Sequence, residues 1–149
     1  MSAPLPDLPV TFRPARTRAV LYVVGIAQLV ALTIIAFLLP ALSGGERISF
    51  VFTGLIVLGV LLLLARPKVV ATERGITVVN LTTRRTLAWA EVLRVNLRVG
   101  DAWVHLDLAD GTSLPAMGIQ PGIAKQQAVQ DARTLRTLAE THGSGDHAG

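Results

Sequence analysis

Charged residues disappear from the chain twice near its start. Ala19 to Leu39 is a run of 21 residues without Asp, Glu, Lys or Arg, and Ile48 to Ala65 is a second run of 18. As helices these runs span about 32 Å and about 27 Å, against a hydrocarbon core of about 30 Å. Each holds thirteen Leu, Ile, Val or Phe residues, and these favour insertion by at most about 4 to 8 kcal/mol per helix. The rest of the chain is too small to cover two such helices, so the pattern predicts two transmembrane helices, 19–39 and 48–65. Pro40, Ser43, Gly44 and Gly45 lie between them, where they end the first helix and turn the chain. A loop as short as 40–47 makes the helices antiparallel neighbours.

Orientation follows from the basic residues. Arg13, Arg16 and Arg18 precede the first run, Arg66, Lys68 and Arg74 follow the second, and the loop has only Arg47 beside Glu46. Positive flanks stay inside, which puts both termini in the cytoplasm, the loop outside and the chain in the plasma membrane. A cleaved signal peptide ending near Ala41-Leu42-Ser43 competes for the first run, but the run exceeds the usual 7 to 15 apolar residues. Gln28 is the one amide inside the first helix. Counted from the outer ends it is level with Leu58 and Gly59, where a close backbone could offer it a carbonyl; a tolerated polar residue is the plainer reading.

After Arg66 the period changes. Val69–Thr72 and Gly75–Leu81 are β-prone around a Glu73-Arg74-Gly75 turn. Thr82–Arg85 is a polar connection, and Thr86–Trp89 is extended up to a break at Ala90-Glu91. Leu93, Val95, Leu97 and Val99 then alternate with polar residues, and 102–108 alternates in the opposite sense. A two-residue Gly100-Asp101 turn pairs Val95 with Leu106 and Leu93 with Leu108, with all four apolar residues on one buried face. It also sets Arg98 across from Trp103 and Arg94 across from Asp107. For the next turn, a three-residue loop Ala109-Asp110-Gly111 is needed to bring Leu114 opposite Leu106, with Gly111 at the positive-φ position. From Gly122 to about Thr141 the period is helical, with Ala128, Val129, Ala132, Leu135, Leu138 and Ala139 on one stripe. Residues 142–149 are a Gly-rich tail expected to be disordered.

Composition narrows the function classes. With 51% hydrophobic and 16% charged residues the chain is too apolar for an ordinary soluble domain, and it has no cysteine, which excludes disulfides, thiolate metal sites and thiol nucleophiles. The net charge of +4 comes largely from the flanks of the apolar runs, so it does not argue for nucleic acid. His105, His142 and His147 have no metal spacing. Asp107 and Asp110 lack the Gly and Glu positions of a calcium loop. The residues therefore predict neither an enzyme nor a cofactor.

About five or six short strands and a helix describe a small bent antiparallel barrel or sandwich, an α+β domain closed by a C-terminal amphipathic helix. The pattern VATERGITVVN, RRTLAWAEV and DGT.LPA, followed by a helix, resembles the bacterial pleckstrin-homology (PH) domains. It is most similar to the group named for low-molecular-weight protein antigen 6 of actinobacteria. The markers are Glu73-Arg74-Gly75-Ile76, Asn80, Trp89 with Glu91, and Asp110-Gly111. The resemblance implies a PH-like domain over 66–141 on a membrane hairpin, with 1–18 as a cytoplasmic tail, and it implies no agreed activity.

Three readings of function follow. The leading one is a non-catalytic interaction module at the inner face of the membrane, binding a protein partner or its own copies by a sheet edge or by a surface at Trp103 and Arg98. The second is an anionic-lipid headgroup sensor using Arg66, Lys68, Arg74, Arg84 and Arg85, a cluster that general attraction to the bilayer also explains. The third is an accessory subunit of a membrane transport or secretion complex.

Overall fold

The computed structural model describes residues 7–147, with side chains for 7–143. Its contacts divide the chain into two units, 15–65 and a second made of the segments before and after it.

The first unit is a pair of helices, α1 (Ala15–Leu38) and α2 (Gly44–Leu64). Both are long and apolar enough to cross a membrane. Phe37, Leu38, Ile48 and Phe52 are each more than 60% exposed, which a core helix of a soluble domain would not tolerate. Helix α1 starts four residues before the expected span, and α2 does the same because the loop is shorter than 40–47. Ser43 caps α2: its hydroxyl accepts from the Glu46 N–H at 3.2 Å, and the Glu46 carboxylate accepts from the Ser43 N–H at 2.7 Å. This reciprocal box starts the helix four residues before Ile48. Arg47 turns back to the carbonyls of Leu39 and Leu42, so the charges of the loop serve its own caps.

The second unit has two antiparallel sheets and a helix. One sheet runs β1 (Val10–Phe12), β2 (Lys68–Ala71), β3 (Gly75–Val79) and β4 (Arg84–Ala88); the other runs β5 (Val92–Asn96), β6 (Val104–Leu108) and β7 (Ser113–Ala116). No ladder joins the two sheets among the described residues, so they form an open sandwich and not a closed barrel. Strand β1 lies inside the expected N-terminal tail. It pairs with β2 in the register Val10↔Ala71, Thr11↔Val70 and Phe12↔Val69.

The core is apolar and continuous. Val69, Ile76, Val78, Leu87, Val95, Val104, Leu106, Ile119, Leu135 and Leu138 are all nearly inaccessible. Gly75 is demanded by a close approach, since a Cβ there would stand 2.0 Å from the Leu87 carbonyl oxygen. Between β4 and β5 a single 3-10 turn, Trp89–Glu91, is closed by the Glu91 carboxylate accepting from the Ala88 N–H at 2.7 Å. The three-residue loop 109–111 is as expected: Leu114 faces Leu106 and Gly111 has φ +86°.

Two expectations fail in instructive places. The β5–β6 turn centres on Val99-Gly100, with the Asp101 N–H bonding the Arg98 carbonyl at 3.0 Å and Gly100 at φ +91°. The register Val95↔Leu106 and Arg94↔Asp107 survives, but Val92 takes the place opposite Leu108 across a bulge. Leu93 is therefore 64% exposed and Val99 98% exposed. Helix α3 (Lys125–His147) runs past Thr141, where a disordered tail was expected; residues 148–149 lie outside the described part. The continuation has a packing reason: the His142 ring stacks on Trp89 with centroids 5.3 Å apart.

Candidate functional site

The basic residues are dispersed by the sheet. Lys68 and Arg84 fall on one row across β2, β3 and β4, on either side of Val79, and Arg66 precedes them at the same end. Arg74 sits in the β2–β3 turn, beyond Gly75, which is itself about 13 Å from that row along the strand direction. Arg85 belongs to the neighbouring row and points to Asp110 of the β6–β7 loop at 3.9 Å. The Asp110 carboxyl is held below its usual pKa, first by the Thr112 hydroxyl, then by the Thr112 N–H, with Arg85 a smaller cause. The five residues thus form no single patch.

Trp103 and Arg98 make no cation–π contact among the described residues. Arg98 is exposed at the turn and Trp103 is partly buried; the cation–π contact found among the described residues is Arg18 over Tyr22. Asp107 lies opposite Arg94 in the ladder, but its carboxylate accepts from the Asn96 amide at 2.7 Å. Among the described residues no three His, Asp or Glu side chains gather as a metal site would require.

In the helical unit, Gln28 does reach α2, but at Gly54. Its amide donates to the Gly54 carbonyl at 2.8 Å and to the Gly25 carbonyl at 2.9 Å. A Cβ on Gly54 would come within 2.8 Å of Leu29, and one on Gly25 within 2.8 Å of Leu58, while Gly59 faces open space. The five-residue displacement from Gly59 follows from α2 starting four residues early and α1 ending one residue early.

The concavity with the most distinctive chemistry was not foreseen. Strand β5 is an edge of its sheet, and α3 packs beside it. Between them runs a groove of about 230 Å³ lined by residues that include Leu93, Arg94, Val95, Asn96, Arg136 and Ala139, with Glu140 as its acid. Arg136 donates to the outward-facing Val95 carbonyl from Nε and from a terminal nitrogen, at 3.3 and 2.9 Å. Reading Leu93 as buried hid the site; the bulge that exposes Leu93 has no signature in the alternation. The family of bacterial PH domains matches residues 66–138, which contain every wall of this groove except Ala139 and Glu140.

This chain belongs to the bacterial PH-domain family. Uncharacterised proteins of Mycobacterium tuberculosis and Mycobacterium bovis are similar to it, 33% identical over 144 residues, covering 93% of each chain. No solved structure matches it. Two of the markers of the bacterial PH domain, Asn80 and Trp89, have structural roles. Asn80 is 5% exposed and joins the two sheets, and the Trp89 indole N–H donates to the Thr72 carbonyl at 2.8 Å.

Proposed function

We propose that this bacterial PH domain is a non-catalytic docking module, held at the inner face of the plasma membrane by its two apolar helices, that takes an extended acidic segment of a partner protein along the edge of β5. The supporting observation is the groove between β5 and α3. Its volume is below the roughly 300 to 1,000 Å³ of small-molecule pockets, yet it offers the exposed Leu93, two guanidiniums against one carboxylate, and a strand edge that no ladder pairs among the described residues, its Val95 carbonyl held by Arg136. A segment laid there exchanges backbone hydrogen bonds with Val95, and Arg136 trades a carbonyl for a carboxylate, a stronger charge-assisted bond. The inner-face placement rests on the basic flanks of the helices. The separation of Arg74 and Arg85 from Lys68 and Arg84 weighs against a single headgroup site that uses all five.

A photo-crosslinking residue at position 93 of the full chain in native membranes tests the reading. A discrete protein adduct is expected, lost when Arg94 and Arg136 are changed to Glu, and absent when the same probe replaces Thr86 on the other sheet. Adducts indifferent to the charge reversal, or equal from Thr86, would sink it.

A further inference from the structure

The family match begins at residue 66, yet the sheet it describes is completed from before the apolar helices. Strand β1 covers the outer edge of β2 over three residue pairs. Phe12 is 5% exposed and belongs to the domain core, with Leu8 and Val10 packed against it. Only Arg13 and Pro14 separate β1 from α1, and only 65–67 separate α2 from β2. We infer that the helix pair is an insertion within the sheet of the PH domain, so that each chain supplies its own β1 and both feet of the hairpin leave from adjacent strands on one side of the membrane.

Two physical arguments carry this. A three-residue strand pair is marginal by itself, and residues 13–68 separate the paired Phe12 and Val69. Left flexible, that span would make closure costly. A rigid hairpin that crosses outward and returns brings the two ends back together and turns the pairing into a favourable intramolecular event. The sheet is then complete only after both helices have inserted, one in each direction. Same-side termini follow from strand pairing alone, without appeal to the basic flanks. The inference therefore stands whether or not the β5 groove binds a partner.

The absence of native cysteine permits a clean test on the full chain. Thr11 and Val70 are ladder partners on the solvent side of the sheet, and Thr77 and Thr86 continue the same row. Cross-strand partners have Cα atoms about 4.5 to 5.5 Å apart, within disulfide reach. Residues 11 and 86 lie three strand spacings apart, about 14 Å. Oxidation of Thr11→Cys/Val70→Cys in membranes should give mainly an internally bridged monomer, and Thr11→Cys/Thr86→Cys should give none. Covalent dimers would mean that β1 is donated to a second copy and would overturn the inference; so would a folded double variant that does not bridge. Should the double variant fail to fold, hydrogen exchange of the unaltered protein decides: slow exchange across Val10–Phe12 supports it, and exchange at free-chain rates overturns it. Reporters at the two termini that read opposite sides of the membrane would overturn it as well.

Discussion

Asn80 of the first sheet donates its amide to the carbonyl of Pro115 in the second at 2.8 Å, and its Oδ1 accepts from the Met117 N–H at 3.1 Å. With the side chain 5% exposed, one residue satisfies two backbone groups that no ladder reaches, because no strand bridges the sheets there. Asn80→Ala leaves both unpaired in the interior, at about 1 to 3 kcal/mol for each group. We expect a loss of about 3 kcal/mol, read by chemical denaturation in detergent. Asn80→Asp keeps the shape but loses the donor, and an ionised carboxylate would face the Pro115 carbonyl. It should therefore lose more stability at neutral than at acid pH.

The Gln28–Gly54 contact makes a prediction about position as well as size. Interhelical hydrogen bonds in bilayers contribute about 0.6 to 2 kcal/mol, so Gln28→Leu should weaken the helix pair by that amount in an unfolding titration in mixed micelles. Gly54→Leu should cost more, since Leu29 and Leu32 already occupy the space above it. Gly59→Ala should be neutral or slightly stabilising, because nothing approaches it and Ala is the better helix former. A penalty at Gly59 with none at Gly54 would refute the observed register.

What the sequence hid is specific. The loop 109–111 was readable because Leu114 could face the core in only one register and Gly111 had to adopt positive φ. The β5–β6 turn was not, because Gly100 serves equally as first or second central residue, and alternation is unchanged by the choice. The bulge at Leu93 flips one residue outward without disturbing the pattern after it. Gln28 was assigned a partner five residues away chiefly because the Ser43/Glu46 capping box was read as loop. Strand β1 was invisible for a different reason. Three residues have no period, and their partner lies beyond two membrane-length helices.

Trp89 and His142 couple the 3-10 turn to the end of α3. Trp89 gives its N–H to the Thr72 carbonyl and its ring face to His142, whose Nδ1 lies 3.0 Å from the Leu138 carbonyl. Stacked aromatic pairs contribute about 0.5 to 1.5 kcal/mol beyond burial. A double-mutant cycle with Trp89→Leu and His142→Ala should return a coupling in that range. Ending the chain after Thr141 should destabilise the domain by a similar amount, and a truncated protein as stable as the full chain would show that the last turns of α3 are dispensable.

Asp131 gives the domain a pH dependence. It sits half-buried on α3, and desolvation pushes its pKa up to about 6. The ordinary value near 3.8 applies in the unfolded chain, so between the two values the folded state binds the extra proton. Stability then falls as pH rises from about 4 to 6, and the full penalty of the charged form is present at pH 7. Partial exposure screens the charge, so the penalty is set at roughly 1 kcal/mol and not at the full value of the shift. Asp131→Asn should raise the melting temperature at pH 7.5, and the gain should vanish as pH drops below 4. Equal gains at both pH values would mean that packing, and not ionisation, governs this position.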